Sequence, residues 1–180
     1  QSVNTIAFDN GELIGHNTDI AGFNTAIKKL KFSTKGKKVL ILGAGGVVPS
    51  IIFALKNMHV KEITISNRTR KKAEELKVSF DNIKILEWGN VIDFDIVINA
   101  TSLGLNNEII SLDFSSLEGD KLFYDVIYNP NETRFLKMGK KLGHKTENGK
   151  TMFVYQAREA FKLWHKIEPK VNEETFKILD

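Results

Sequence analysis

The chain has 180 residues, 42% of them hydrophobic and 27% charged, which suffices for one ordinary domain with a buried core, or slightly more. It contains no cysteine, so a disulfide framework and a thiolate nucleophile are excluded, a composition that fits the cytoplasm. No apolar run reaches the roughly 18 residues of a membrane span, and the net charge of +4 comes from scattered lysines and arginines. Anions are therefore expected partners, whereas a membrane and nucleic acid are not: no basic helix carries interleaved aromatics and no zinc spacing is present.

The sequence opens at Gln1 without an initiator methionine, and residues 3–8 already read as a half-buried strand, so further sequence is expected upstream. That strand and a second at 12–15 flank Asp9-Asn10-Gly11, a hairpin signal. Ile20, Phe23, Ile27 and Leu30 recur at helical spacing and predict a helix over 18–30. After a polar connector at 31–37 the pattern alternates: strand KVLILGA from Lys38, helix over 47–58, strand EITIS, helix over 69–78. IKIL near Ile83, DIVINA from Asp95 and LFYDVIY from Leu122 follow, each apolar enough for a strand buried on both faces. Helices are predicted at 132–142, 152–165 and 172–179. The fold class that follows is α/β, a doubly wound parallel sheet of the Rossmann type, which binds its ligand at the carboxyl ends of the strands.

Gly43-Ala44-Gly45-Gly46-Val47 turns from strand KVLIL into a helix. Free amides and the helix dipole suit a pyrophosphate there, although the same glycines would also serve a turn that only lets strand and helix pack. Val48 stands where the usual fingerprint has its third glycine, and Pro49 fits a first helical turn. About 20 residues beyond the glycines an NAD enzyme carries an acid for the ribose hydroxyls. This chain has Ser66-Asn67-Arg68-Thr69 instead, with Lys72 one turn on. A planar guanidinium, a hydroxyl and an ammonium select the 2′-phosphate of NADP.

The blocks VNT from Val3, GHNTDIAGF from Gly15, GAGG, NRTRKKA from Asn67, NATSLG from Asn99, DVIYNPNET from Asp125 and NGKTMFVYQAREAF from Asn148 occur in that order. With them the chain resembles, over essentially its whole length, the carboxyl-terminal part of the shikimate dehydrogenases, enzymes that move hydride reversibly between NADPH and 3-dehydroshikimate to give shikimate. The resemblance implies residues 1–17 as a remnant of hinge and substrate-lobe strands, 18–155 as the NADP-binding domain, and 156–180 as helices returning to the hinge. It implies Asp19 as one half of a catalytic pair whose lysine lies upstream. Asn4, Thr18, Tyr128 and Gln156 are implied as ligands of the substrate, shikimate or 3-dehydroshikimate. Ala100, Thr101, Ser102, Val126 and Gly149 would line the nicotinamide end of the cofactor. With the front lobe absent, negligible turnover is expected of this chain alone, and a homodimer is compatible with the family.

Quinate/shikimate oxidation with relaxed cofactor use, and a dinucleotide-binding module without catalysis, are the alternatives. No metal is expected, since His16, His59, His144 and His165 show no ligand spacing. Trp88 and Trp164 read as packing residues.

Overall fold

A computed structural model describes residues 2–106 and 108–179. In chain order the elements are β1 (Thr5–Asp9), β2 (Glu12–His16), α1 (Asp19–Lys29), β3 (Lys38–Leu42), α2 (Val48–Asn57), β4 (Glu62–Ser66) and α3 (Arg70–Ser79). There follow β5 (Ile83–Leu86), β6 (Ile96–Asn99), β7 (Leu122–Asp125), α4 (Arg134–Lys141), β8 (Lys145–Glu147), α5 (Lys150–His165) and α6 (Glu173–Lys177). β1 and β2 form an antiparallel hairpin in which Asn10 and Gly11 take positive φ of 50° and 87°, the turn that matches strand twist. The other six strands form one parallel sheet in the order β5-β4-β3-β6-β7-β8. The chain leaves β3 toward β4 on one side and later returns to its other side with β6, and at this switch point the strand ends open a crevice.

Alternate residues of β3 feed opposite cores. Val39 and Ile41 join Phe23, Ala26, Ile51, Leu55 and Tyr124 on the face covered by α1, α2 and α5. Leu40 and Leu42 join Phe94, Val97, Phe114, Phe123 and Phe135 on the face covered by α4 and the long 100–121 connection. Since each fully buried aliphatic or aromatic side chain contributes roughly 1.5–3 kcal/mol, both faces of the central strands must be apolar, which is why these strands lack a period-two pattern.

Most predicted elements are present with ends displaced by one to three residues. Two differ in kind. β5 is an edge strand whose Lys84 is exposed and pairs with Glu62 at 2.5 Å, so IKIL is not buried on both faces as expected. β8, three residues of polar sequence, was not expected at all; it extends the sheet beyond β7. At the amino ends of the strands Lys37 meets Asp95 and Lys38 meets Asp93, both at 3.0 Å. Lys121 reaches the same Asp93 at 3.0 Å, and the two ammonium groups hold that carboxyl below its ordinary value. These pairs sit at the end of the sheet opposite the strand termini that form the crevice.

Candidate functional site

Gly43 follows β3 with φ +108°, and a Cβ there would come 2.6 Å from the Ala100 carbonyl oxygen. Only glycine satisfies both demands, so the bend runs close over the end of β6. The amides of Ala44, Gly45, Gly46 and Val47 have no hydrogen-bond partner among the described residues, and α2 starts without a side-chain cap, with Pro in its first turn. Val48, at the third-glycine position, is wholly buried in the core. The bend thus presents unsatisfied donors and a helix amino end to open space.

That space is a cavity of about 540 Å³ bounded by Gly43, Ala44 and Gly45 on one side and Asn67, Arg68, Thr69 and Lys72 on another, with Ala100, Thr101 and Ser102 as its floor. Arg68 is exposed and makes no ion pair among the described residues, whereas its neighbour Arg70 is bound to Glu74 at 2.8 Å. Asn67 donates to the Thr69 carbonyl at 2.8 Å and so holds the turn that aims Arg68. Thr69 occupies the α3 N-cap position, yet its side chain makes no capping bond. Trp88, expected to be packing only, does rest against the core but also lines this cavity.

A second cluster joins the hairpin to α1 and α5. The Thr18 amide donates to Asn4 Oδ1 at 2.9 Å. An amide N–H can only donate, so the Asn4 side chain must turn its Nδ2 outward, where it donates to Asp19 Oδ1 at 2.8 Å. Thr18 Oγ1 lies 3.3 Å from Asn4 Oδ1 and 3.2 Å from Gln156 Oε1, and its single proton serves one of them at a time. Thr18 precedes α1 but does not cap it; the hydroxyl is spent on the cluster. Partial burial pushes the Asp19 carboxyl above its ordinary value, and the Asn4 bond offsets part of that rise. The approach of α1 to α5 depends on Gly22, where a Cβ would lie 2.6 Å from the Met152 carbonyl oxygen and 2.9 Å from Gln156 Cβ.

The remaining predicted residues do not line the cavity beside Arg68. Gly149 precedes α5, and a Cβ there would overlap the Val126 carbonyl at 2.0 Å, so Gly149 and Val126 are in backbone contact beyond the end of β7. Tyr128 makes no hydrogen bond to the Asn4–Asp19 cluster. Its ring instead stacks on Phe153, centroids 4.4 Å apart, one turn before Gln156 on α5. Gly46 and Val47 complete the bend without lining the cavity; Gly46 faces a larger one of about 730 Å³ between β2, α2 and α3, which holds no other predicted site residue.

A family model described as shikimate / quinate 5-dehydrogenase matches residues 24–116, just over half of the chain. The chain is 55% identical to the shikimate dehydrogenase (NADP(+)) of Pelagibacter ubique over all of its own length and 68% of that protein's. The chain belongs to the shikimate/quinate 5-dehydrogenase family. It is also 46% identical to the shikimate dehydrogenase (NADP(+)) of Caldicellulosiruptor saccharolyticus, covering 93% of this chain and 63% of that one. The chain thus spans about two thirds of the length of the curated relatives it matches. Among solved structures, a Listeria monocytogenes shikimate 5-dehydrogenase in complex with shikimate and NAD aligns with TM-score 0.86 at 30% identity over 99% of this chain and 68% of that one. A Corynebacterium glutamicum quinate dehydrogenase in complex with NAD aligns with TM-score 0.87 at 30% identity over 97% and 66%.

Within this family the expected fold, a Rossmann-type parallel sheet, is the observed one. Sequence reasoning missed Trp88 and Phe153, each of which touches a predicted residue or lines the same cavity. Neither carries a polar signal: an aromatic just after a strand or inside a helix has the same pattern as core.

Proposed function

We propose that this chain forms the NADP-binding part, and half of the catalytic pair, of a shikimate dehydrogenase. The observation that carries the reading is the cavity itself: Ala44 and Gly45, whose amides have no partner among the described residues, line one opening together with Arg68, Thr69 and Lys72. A diphosphate fits the amides, and the cations suit the additional 2′-phosphate that separates NADP from NAD. NADP, when bound, exchanges a hydride with the carbinol carbon of the substrate. The chain's own residues bind and orient. The Gly43 bend cradles phosphate, and the backbone at Ala100, Thr101, Ser102, Val126 and Gly149 lines the path from the phosphates toward the Asn4–Asp19 cluster. Asp19, aimed by Asn4, holds a substrate hydroxyl and shares its proton with a basic partner, a role that partial burial of its carboxyl assists. Gln156 spends its oxygen on Thr18 and keeps its NH2 for a substrate hydroxyl; Tyr128, braced by Phe153, supplies a wall for the ring.

Nicotinamide fluorescence tests the reading: titration of the chain with NADPH and NADH is expected to show tighter NADPH binding, with negligible oxidation of added shikimate. Equal affinity for the two, or no binding, overturns it. Quinate is the second substrate reading, favoured by the quinate dehydrogenase among the structural neighbours, and parallel assays of a full-length enzyme on both acids separate the two. The division at 1–17, 18–155 and 156–180 belongs to the same proposal, although α5 runs unbroken across its second boundary. So does placement in the cytoplasm. A homodimer would have the exposed Ile6, Phe8 and Leu13 of the hairpin to use, and sedimentation velocity decides it.

A further inference from the structure

Asp125 ends β7 with its side chain wholly buried. Oδ1 accepts from the Ile127 amide and from Asn99 Nδ2, both at 3.0 Å, and Oδ2 accepts from Thr133 Oγ1 at 2.6 Å. Each donor belongs to a different segment. Asn99 ends β6 directly beside Asp125 and uses its own Oδ1 to accept from the Thr101 amide at 3.1 Å and the Thr101 hydroxyl at 2.7 Å. Ile127 follows Val126 in the loop after β7, and Thr133 caps α4, accepting from the Leu136 amide at 3.3 Å. One carboxylate therefore sets the loop after β6, the loop after β7 and the start of α4 relative to one another.

Burial pushes the Asp125 carboxyl up to about 6, and the hydrogen bonds from Thr133, Ile127 and Asn99 recover only part of that rise. The ionised form costs stability at neutral pH, where a neutral side chain of the same shape would not, so the return on this charge is geometry rather than stability. The two loops it joins are those that carry Ala100–Ser102 and Val126.

We propose that Asp125 is a positioning residue for the nicotinamide end of the dinucleotide: it locks the two strand-end loops so that their backbone meets the ring. The proposal rests on the dinucleotide reading above.

The test compares NADPH with 2′,5′-ADP, which carries the adenosine half alone, on the wild-type chain, on Asp125→Asn and on Thr133→Val. Fold is checked by circular dichroism, and the emission of bound nicotinamide is followed. Wild type is expected to bind NADPH more tightly than 2′,5′-ADP and to enhance its emission. In Asp125→Asn, 2′,5′-ADP affinity stays within about twofold, while NADPH affinity falls about tenfold and the enhancement disappears. Thr133→Val shifts the same ratio in the same direction, and decides the matter if the Asn variant does not fold. A folded variant that keeps the wild-type ratio and emission overturns the proposal, as does a parallel loss for both ligands, which marks general loosening. If wild type binds neither ligand, the dinucleotide reading itself has failed and this inference goes with it.

Discussion

Arg68 stands exposed at the cavity rim and pairs with no carboxylate among the described residues. Charge-assisted hydrogen bonds contribute about 1.5–3 kcal/mol, so Arg68→Ala is expected to weaken NADPH by roughly tenfold to a hundredfold and NADH much less; calorimetric titration showing equal losses would remove the phosphate role. Asp125 gives a second expectation. Its folded value of about 6 lies above the ordinary value of 3.8, so folding favours the protonated form. This stabilising contribution is complete below the ordinary value and is lost as pH rises through the folded one. The stability difference between wild type and Asp125→Asn, from urea midpoints, should fall by about 2–3 kcal/mol over that window and then level off; a flat difference contradicts the burial account. That Arg68, Thr69 and Lys72 share a cavity with the glycine bend was legible, because they stand at a fixed offset from it. Trp88 and Phe153 were not, since an aromatic side chain announces burial equally well whether it faces core or cavity.

Gly22 and Gly45 separate packing from binding. At Gly22 an added methyl meets the Met152 carbonyl oxygen at 2.6 Å, and α1 must part from α5. Gly22→Ala is expected to cost about 1–3 kcal/mol in urea unfolding and to break the Thr18–Gln156 bond. At Gly45 the nearest atom to an added methyl is the Ala100 carbonyl oxygen at 3.9 Å and φ is not in the left-handed region, so Gly45→Ala should leave stability within about 0.5 kcal/mol. NADPH affinity should nevertheless drop, because Gly45 lines the cavity proposed to hold the diphosphate; unchanged affinity would place the phosphates elsewhere. The alternation of short apolar strands with periodic helices made the sheet readable from the sequence. β8 escaped because three polar residues, Lys145, Thr146 and Glu147, carry no period, and pairing with β7 rather than their own preference makes them a strand. β5 misled because its apolar run gives no sign of whether a second strand pairs with it on the side away from β4.

Across the whole molecule, charge is divided between the two ends of the sheet. Lysines at the amino ends of β3 and β7 are bound to Asp93 and Asp95, while Arg68 and Lys72 at the carboxyl end make no ion pair among the described residues. A ligand that binds only the folded form at a hundred times its dissociation constant adds about 2.7 kcal/mol. For a chain of this size saturating NADPH should therefore raise the melting temperature by roughly 5–10 °C, and NADH at equal concentration by less; matching shifts would argue against phosphate selection. The two indoles lie in separate regions. Trp88 borders the crevice, and Trp164 donates its Nε1 proton to the Ile6 carbonyl at 2.9 Å, fastening α5 to the hairpin. The protein consequently carries two intrinsic optical labels: excitation passing from Trp88 to a reduced pyridine ring reports occupancy, while the Trp164 emission colour tracks attachment of the hairpin. Replacing either by phenylalanine lets the other be watched alone.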